Sequence, residues 1–147
     1  MKRNMKRKTV KPAALFAAAL ALLLLFAACG EKTAPADLWK EAQYSEDTTL
    51  GEGANTVKVT VQAGEKSVTF TVHTNKTNLG EALLDLSLIE GDAGQYGLYV
   101  KKVNGILADY DVDQSYWAFR SNGEMMPTGI DQTELTDGGQ YELVYTR

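Results

Sequence analysis

Two neighbouring segments in the middle of the chain alternate strictly between apolar and polar residues. Residues 57–62 read Val-Lys-Val-Thr-Val-Gln, and after the short break at 63–65 residues 67–72 read Ser-Val-Thr-Phe-Thr-Val. Because side chains on a strand point to opposite faces in turn, this period of two predicts half-buried β-strands. Two such strands joined by a tight turn form a β-hairpin, whose apolar face must be covered by other elements.

A helical pattern follows the predicted hairpin. Asn78 and Glu81 are spaced as in a capping box, which marks the start of a helix. From there apolar residues recur at helical spacing and share one face: Leu79, Ala82, Leu83, Leu86 and Ile89. The pattern predicts one amphipathic helix that packs on the hairpin and ends near Gly91, where residues 91–94 form a loop.

Three further strands are predicted after the helix, at residues 96–103, 115–120 and 140–145. They are separated by dipeptides that favour tight turns, Asn104-Gly105, Asn122-Gly123 and Asp137-Gly138. Residues 38–53 predict at most one irregular strand. The order of elements predicts the α+β class, with a β-grasp-like mixed sheet covered on one face by one amphipathic helix.

The start of the chain has the pattern of a signal peptide. Residues 1–11 hold six basic residues and no acidic one, and the uncharged run 13–28 is rich in leucine and alanine. This run is short for a transmembrane helix, which needs about 20 apolar residues. It ends in the small residues Ala27 and Ala28, directly before the only cysteine, Cys29.

The segment 25–30, Leu-Phe-Ala-Ala-Cys-Gly, resembles the lipobox of bacterial lipoproteins. The resemblance implies cleavage before Cys29 and lipid modification of its sulfur; the alternative is an unlipidated signal helix that ends in a buried thiol. We expect a signal peptide over 1–28, a lipidated N-terminus and spacer over 29–37 and a folded domain over 38–147. The lipid on Cys29 would anchor this domain to the extracytoplasmic face of the cell membrane.

The charge balance argues against nucleic acid as a partner. Six of the fifteen basic residues and none of the nineteen acidic ones precede Cys29, so the mature chain has a formal charge of −10. Nucleic acids are bound through lysine and arginine that neutralise phosphates, and anionic lipids attract polybasic segments. With Cys29 used as the anchor, no disulfide is available, and the hydrophobic core must hold the domain together.

Candidate catalytic residues are few. His73, the only histidine, falls one position outside the apolar alternation, which places it on the solvent-facing side of the hairpin. The sequence contains no nucleophile-elbow, zinc-protease, P-loop or dinucleotide-binding motif. We therefore expect no catalytic residues and no enzymatic activity.

Asp109, Asp111 and Asp113 are spaced like the first ligands of a calcium-binding loop. An EF-hand loop also needs glycine at its sixth position and glutamate at its twelfth, where this chain has Gln114 and Arg120. The pattern favours a solvated acidic loop and leaves a calcium site as the alternative. No metal ligands are assigned from the sequence.

Aromatic residues and methionines cluster in the second half of the chain. In the predicted strand 115–120, Trp117 and Phe119 share one face while Tyr116 takes the other. One interpretation puts Trp117 and Phe119 in the core beneath the helix. The other keeps aromatics and methionines at an open sheet end, where they form a shallow apolar platform for a ligand: Tyr96, Gly97, Tyr110, Tyr116, Trp117, Met125, Met126 and Gly129.

Several short words of the sequence are together typical of one family: Leu38-Trp39, residues 46–53, Leu79-Gly80-Glu81-Ala82-Leu83, Gly97-Leu98-Tyr99-Val100, Val103-Asn104-Gly105-Ile106, Ala108-Asp109-Tyr110, Tyr116-Trp117-Ala118-Phe119 and Thr128-Gly129-Ile130-Asp131. They resemble a family of bacterial surface lipoproteins that carry a transcobalamin-like C-terminal domain of unassigned function. The resemblance covers residues 38–147 and implies that residues 38–53 belong to the fold.

A more distant resemblance, at Tyr116-Trp117 and Asn122-Gly123, is to the C-terminal β-domain of the cobalamin carriers transcobalamin and intrinsic factor. Those carriers clasp a corrinoid between this domain and a large α/α barrel, and we expect no such barrel here. The resemblance implies a corrinoid as a ligand class and does not imply that this chain binds it alone. We expect non-catalytic binding together with a partner, either a transporter subunit or another surface protein, and no required cofactor. Residues 125–127, Met-Met-Pro, depart from the family pattern, which leaves the ligand at that edge open.

The alternative function is a protein-protein interaction module without a small-molecule ligand. Such a module would dock a transporter subunit, another surface protein or a wall polymer through a sheet edge or the acidic face. Strand addition at an edge uses only backbone groups, so it leaves little trace in a sequence.

Overall fold

The structure is a computed structural model that describes residues 37–147. The predicted signal peptide (1–28), the lipidation site Cys29 and all but the last residue of the predicted spacer (29–37) lie outside the described residues. No helix of the described part is both long and apolar enough to span a membrane.

The described residues are mostly β-strand, with one main helix. The strands are β1 (Thr48–Gly51), β2 (Asn55–Ala63), β3 (Lys66–Thr74), β4 (Ile89–Gly94), β5 (Gly97–Val103), β6 (Ile106–Leu107), β7 (Tyr116–Ser121), β8 (Glu124–Met125) and β9 (Gln140–Thr146). The helices are α1 (Leu79–Asp85) and the single turn α2 (Tyr110–Asp113), with 3-10 turns at Leu38–Glu41 and Ile130–Gln132. The predicted α+β class is thereby confirmed.

The larger sheet has the strand order β1-β3-β2-β9-β7-β8. The predicted hairpin is present as β2 and β3, which pair along their whole length from Asn55↔Thr74 to Ala63↔Lys66. β9 pairs in parallel with β2 and antiparallel with β7, so the sheet is mixed and the last strand of the chain lies near its centre. β1 adds a second parallel pair at the edge, beside β3.

A second sheet, β4-β5-β6, was not predicted as a separate unit. The prediction that the helix continues to Gly91 is wrong: α1 ends at Asp85, and Ser87 takes a left-handed backbone with φ 53°. Ile89 then begins β4, and residues 91–94, predicted as a loop, pair with β5. A Cβ at Gly91 would lie 2.1 Å from the carbonyl oxygen of Tyr99, so glycine permits this close pairing.

The hydrophobic core lies on the apolar face of the larger sheet. Valines of β2 and β3 are fully buried there, and α1 adds Leu79, Ala82 and Leu83. Ile89, Val103 and Ile106 of the second sheet belong to the same cluster. One core therefore joins both sheets and the helix.

Residues 38–51 pack against this core, as the family resemblance implied. The indole Nε1 of Trp39 donates to the carbonyl of Ala63 at 2.9 Å, and the Tyr44 ring meets Phe70 edge to face. The buried Asn104 side chain bonds both backbone groups of Tyr44, at 2.9 Å to the amide and 2.8 Å to the carbonyl. This segment is therefore fixed by contacts with residues distant in sequence.

Candidate ligand-binding surface

The turn between β4 and β5 carries the most exposed aromatic side chain of the described residues. Tyr96 is 83% exposed and Tyr99, three positions on, is 45% exposed. Together with Gly94 and Gly97 they line a shallow cleft of about 310 Å³. Tyr99 was not among the predicted ligand-binding residues.

The segment around Gly129 lies against this turn. The Gln132 side-chain amide donates to the carbonyl oxygen of Tyr96 at 3.4 Å, and a Cβ at Gly129 would lie 3.7 Å from the same oxygen. Tyr96, Gly97 and Gly129, predicted as parts of one platform, are thus brought together. We call Tyr96, Gly97, Tyr99 and Gly129 the hairpin-tip surface.

Asp131, in the 3-10 turn Ile130–Gln132, lies close to both the β4–β5 turn and α1. A Cβ at Gly97, whose φ is +108°, would lie 2.7 Å from Oδ1 of Asp131, and a Cβ at Gly80 would lie 2.6 Å from its Cα. Its carbonyl accepts a hydrogen bond from Asn78 Nδ2 at 2.6 Å. Its Oδ1 is buried and has no hydrogen-bond partner among the described residues. The sequence words contained Asp131, but no local pattern marked it as a contact of Gly97.

Trp117 lies in the core, so of the two interpretations of the strand the core placement holds. Trp117 is 7% exposed and meets the ring of Tyr145 edge to face at 5.6 Å. Its indole Nε1 has no hydrogen-bond partner among the described residues. A buried ring cannot offer its face to an external ligand, so Trp117 is not part of an open platform in this structure.

Tyr116 and Met125 lie on the face of the larger sheet opposite to the face that carries Trp117. Tyr116 precedes Trp117 on β7 and so points the other way, and Met125 is paired with Arg120 on that same face. Tyr116 is 36% and Met125 58% exposed. Met126 donates its amide to the Phe119 carbonyl at 3.0 Å and is half-buried. The predicted platform residues therefore do not form one surface: some lie together at the β4–β5 turn, while Tyr116 and Met125 lie on a face of the larger sheet.

Tyr110 begins the single turn α2 and is 56% exposed. The neighbouring carboxylates accept hydrogen bonds from groups within the turn. Asp109 accepts from the Asp111 amide, and Asp113 accepts from the Ser115 amide at 3.1 Å and from the Ser115 hydroxyl. The Ser115 hydroxyl bond is the main cause that lowers the pKa of Asp113. No group of three or more metal-ligating side chains occurs among residues 37–147.

The ion pair between Lys101 and Asp92 also shifts the pKa of one of its partners. The Lys101 ammonium lies 2.7 Å from Asp92, and this contact raises the pKa of Lys101, with smaller contributions from Asp109 and Asp111. Both partners of the pair are exposed to solvent, so the pair stabilises the fold little.

His73 lies on the solvent-facing side of β3, as predicted. Its Nδ1 is 2.9 Å from the Thr56 hydroxyl. The cleft beside it, about 340 Å³, is lined by polar residues of β2 and of the turn before β9, including Lys58, Asp137 and Gln140. This cleft was not predicted, because the turn sequence Asp137-Gly138-Gly139 signalled only a change of direction.

Similarity to known proteins places the chain in a family. No curated protein matches it. A solved structure of a "putative metal binding protein" from Ruminococcus gnavus ATCC 29149 is 34% identical, with a TM-score of 0.61, and the match covers 64% of this chain and 98% of that one. Haptocorrin in complex with Cbi is 19% identical with a TM-score of 0.48, and the match covers 67% of this chain but 26% of haptocorrin. The chain belongs to the family of the Ruminococcus gnavus protein and carries, at residues 77–146, the domain of unknown function DUF4430.

Proposed function

We propose that this protein is a lipid-anchored, extracytoplasmic binding protein that takes a large, flat, partly apolar ligand at the hairpin-tip surface without catalysing a reaction. The exposure of Tyr96 and Tyr99, which line one cleft together with two glycines, carries the proposal. Large aromatic side chains bury well in soluble domains, and grouped exposed ones commonly mark binding sites.

The chemistry of the surface suits a ligand with both apolar and polar parts. Tyrosine rings offer a flat apolar body with a hydroxyl at its end, and Gly97 and Gly129 let a bulky ring approach the backbone. A corrinoid has this character, and it is the ligand that the sequence resemblance implies. Tyr96, Gly97 and Gly129 remain from the predicted platform, and Tyr99 joins them.

A partner protein is part of the proposal because the cleft is shallow. Typical small-molecule sites bury about 70–90% of the ligand surface, which a one-sided surface cannot do. A transporter subunit or another surface protein would cover the exposed side of the ligand. The lone chain is then expected to bind weakly, with a Kd on the order of 10⁻⁴ M, about −5.5 kcal/mol.

The lipid anchor is tested at Cys29. Cys29→Ser is expected to abolish labelling by a radioactive fatty acid and to release the protein from membranes. Unchanged membrane association and absence of fatty-acid label on the unaltered chain would refute the anchored form.

Ligand binding is tested by calorimetric titration of the full chain in detergent with cobinamide. Tyr96→Ala with Tyr99→Ala is expected to weaken binding about tenfold or more, at roughly 1 kcal/mol for each ring. Tyr116→Ala is the matched control, because Tyr116 is a partly exposed tyrosine on the other sheet face. Absence of heat at millimolar cobinamide, or loss of binding in the control alone, would remove the hairpin-tip surface from consideration.

The interaction-module alternative is favoured by exposed apolar residues elsewhere. Val112 is 80% exposed, beside Tyr110 on α2, and Leu107 is 55% exposed. Crosslinking in the native host distinguishes the two functions: a protein partner recovered through α2, without any retained small molecule in a native mass spectrum, would support the module.

A further inference from the structure

The carboxylate of Asp131 lies beside the hairpin-tip surface with its hydrogen bonding incomplete. Oδ1 is buried, and no donor among residues 37–147 reaches it. Nearly all buried polar atoms in folded proteins have partners, and exceptions call for a specific explanation such as an ion.

Other oxygen atoms lie close to the same place. A methyl group on Gly129 would lie 3.1 Å from Asp131 Oδ1 and 3.7 Å from the Tyr96 carbonyl oxygen, so both oxygens border the same side of Gly129. The Gln132 side-chain amide reaches that carbonyl at 3.4 Å, a long hydrogen bond. Turning this amide by 180° exchanges its nitrogen for its oxygen and adds an uncharged oxygen ligand.

The two glycines place no side chain beside these oxygens. A methyl group at Gly97 would lie 2.7 Å from Oδ1 and 3.2 Å from Oδ2 of Asp131. Gly129 has an ordinary extended backbone, with φ −64° and ψ 160°, so its backbone does not require glycine. A side chain at Gly129 would instead begin beside both the Asp131 carboxylate and the Tyr96 carbonyl.

We propose that Asp131, the Tyr96 carbonyl and the Gln132 side chain bind a hard divalent cation, with Ca²⁺ as the best fit. Ca²⁺ accepts carboxylate, carbonyl, amide and water oxygens in flexible geometry, whereas Mg²⁺ demands a near-ideal octahedron. One carboxylate gives weak affinity, on the order of 10⁻⁴ to 10⁻³ M, the range of extracellular calcium modules. The formal charge of −10 on the mature chain favours a cation.

This site does not depend on the organic ligand. The ion would join the β4–β5 turn to the 3-10 turn through Tyr96 and Asp131, and so hold the hairpin tip in place. The site is not a cluster of acidic, histidine and cysteine side chains, of which the described residues contain none, because two of its three ligands are uncharged.

The experiment titrates chelator-treated full chain in detergent with CaCl₂ and, separately, MgCl₂, by calorimetry and by thermal unfolding. We expect one saturable Ca²⁺ site and a Tm about 5 °C higher at 10 mM Ca²⁺, with a smaller shift for Mg²⁺. Asp131→Asn is expected to weaken Ca²⁺ binding at least tenfold. Gly129→Ala keeps the carboxylate but fills the space beside it, and it is expected to weaken binding as well.

Asp111→Asn is the matched control, since Asp111 belongs to the acidic turn and is exposed. Binding that survives in this variant and fails in the two others supports the Asp131 site, provided circular dichroism shows that they fold. Absence of Ca²⁺ binding at 10 mM, or loss in Asp111→Asn with retention in Gly129→Ala, overturns it. Cobinamide binding is measured separately without Ca²⁺, so failure of the ion site is distinguishable from failure of the organic ligand.

Discussion

Replacing Asn104 with alanine should destabilise the protein far more than the same change in another Asn-Gly turn. Asn104 is buried, has φ 50°, and its side chain bonds the amide and the carbonyl of Tyr44. Asn122 has nearly the same backbone, with φ 53°, but it is exposed, and its side chain forms no hydrogen bond with any of the described residues. Both positions precede glycine, so Asn122→Ala is a matched control.

The magnitude follows from the contacts that each change removes. Alanine in the left-handed region costs about 1 kcal/mol at either position. At Asn104 two hydrogen bonds of about 1 kcal/mol each are also lost, and both backbone groups of Tyr44 lose a partner in a partly buried place. We expect Asn104→Ala to lower the free energy of unfolding by roughly 3–5 kcal/mol and Asn122→Ala by about 1 kcal/mol.

The assay is urea unfolding followed by tryptophan fluorescence, with amide hydrogen exchange at Tyr44 as a local readout. Protection of the Tyr44 amide should fall more than that of amides in β2. A difference of less than about 1 kcal/mol between the two variants would refute the argument that Asn104 anchors the N-terminal segment.

Two further changes test the junction at Asp131 and the acidic turn. Gly80→Ala should lower the free energy of unfolding by about 1–3 kcal/mol in urea, although alanine is the better helix former, because its Cβ would lie 2.6 Å from the Asp131 Cα; a stabilised variant would contradict this. The lowered pKa of Asp113 stabilises the fold above the ordinary aspartate pKa of about 4, and this contribution is lost as the pH falls through the lowered value. Ser115→Ala should therefore flatten the acid limb of the urea midpoint measured between pH 2 and 7; an unchanged limb would count against the Ser115 contact.

The sequence predicted the hairpin and the start of the helix because their signals are local. Strict alternation runs through β2 and β3, and the Asn78 side chain accepts from the Glu81 amide at 3.1 Å, as the capping pattern predicts. The end of the helix was predicted wrongly because Ile89 suits both a helical stripe and a buried strand. In a short apolar run, periodicity alone cannot distinguish a helix from a buried strand.

The candidate site was predicted only in part, because its contacts are long-range. Gly97 and Asp131 belong to different sequence words, and neither carries a signal of their contact. Trp117 shows a second reason. Alternation on β7 predicts which residues share a face with Trp117, but only the packed structure shows that this face belongs to the core. The predicted ligand class and the partner stay predictions.

The parallel pairing of β2 with β9 has a consequence for how the chain is made. β9 follows every other described strand in the sequence, yet it lies between β2 and β7, so the larger sheet stays divided until residues 140–146 have been synthesised. Pairing of strands so distant in sequence closes late and slowly. A chain exported as proposed would therefore remain competent for threading through a translocation channel until residues 140–146 emerge, and deletion of residues 140–147 should leave the two halves of the sheet unpaired and the chain unfolded.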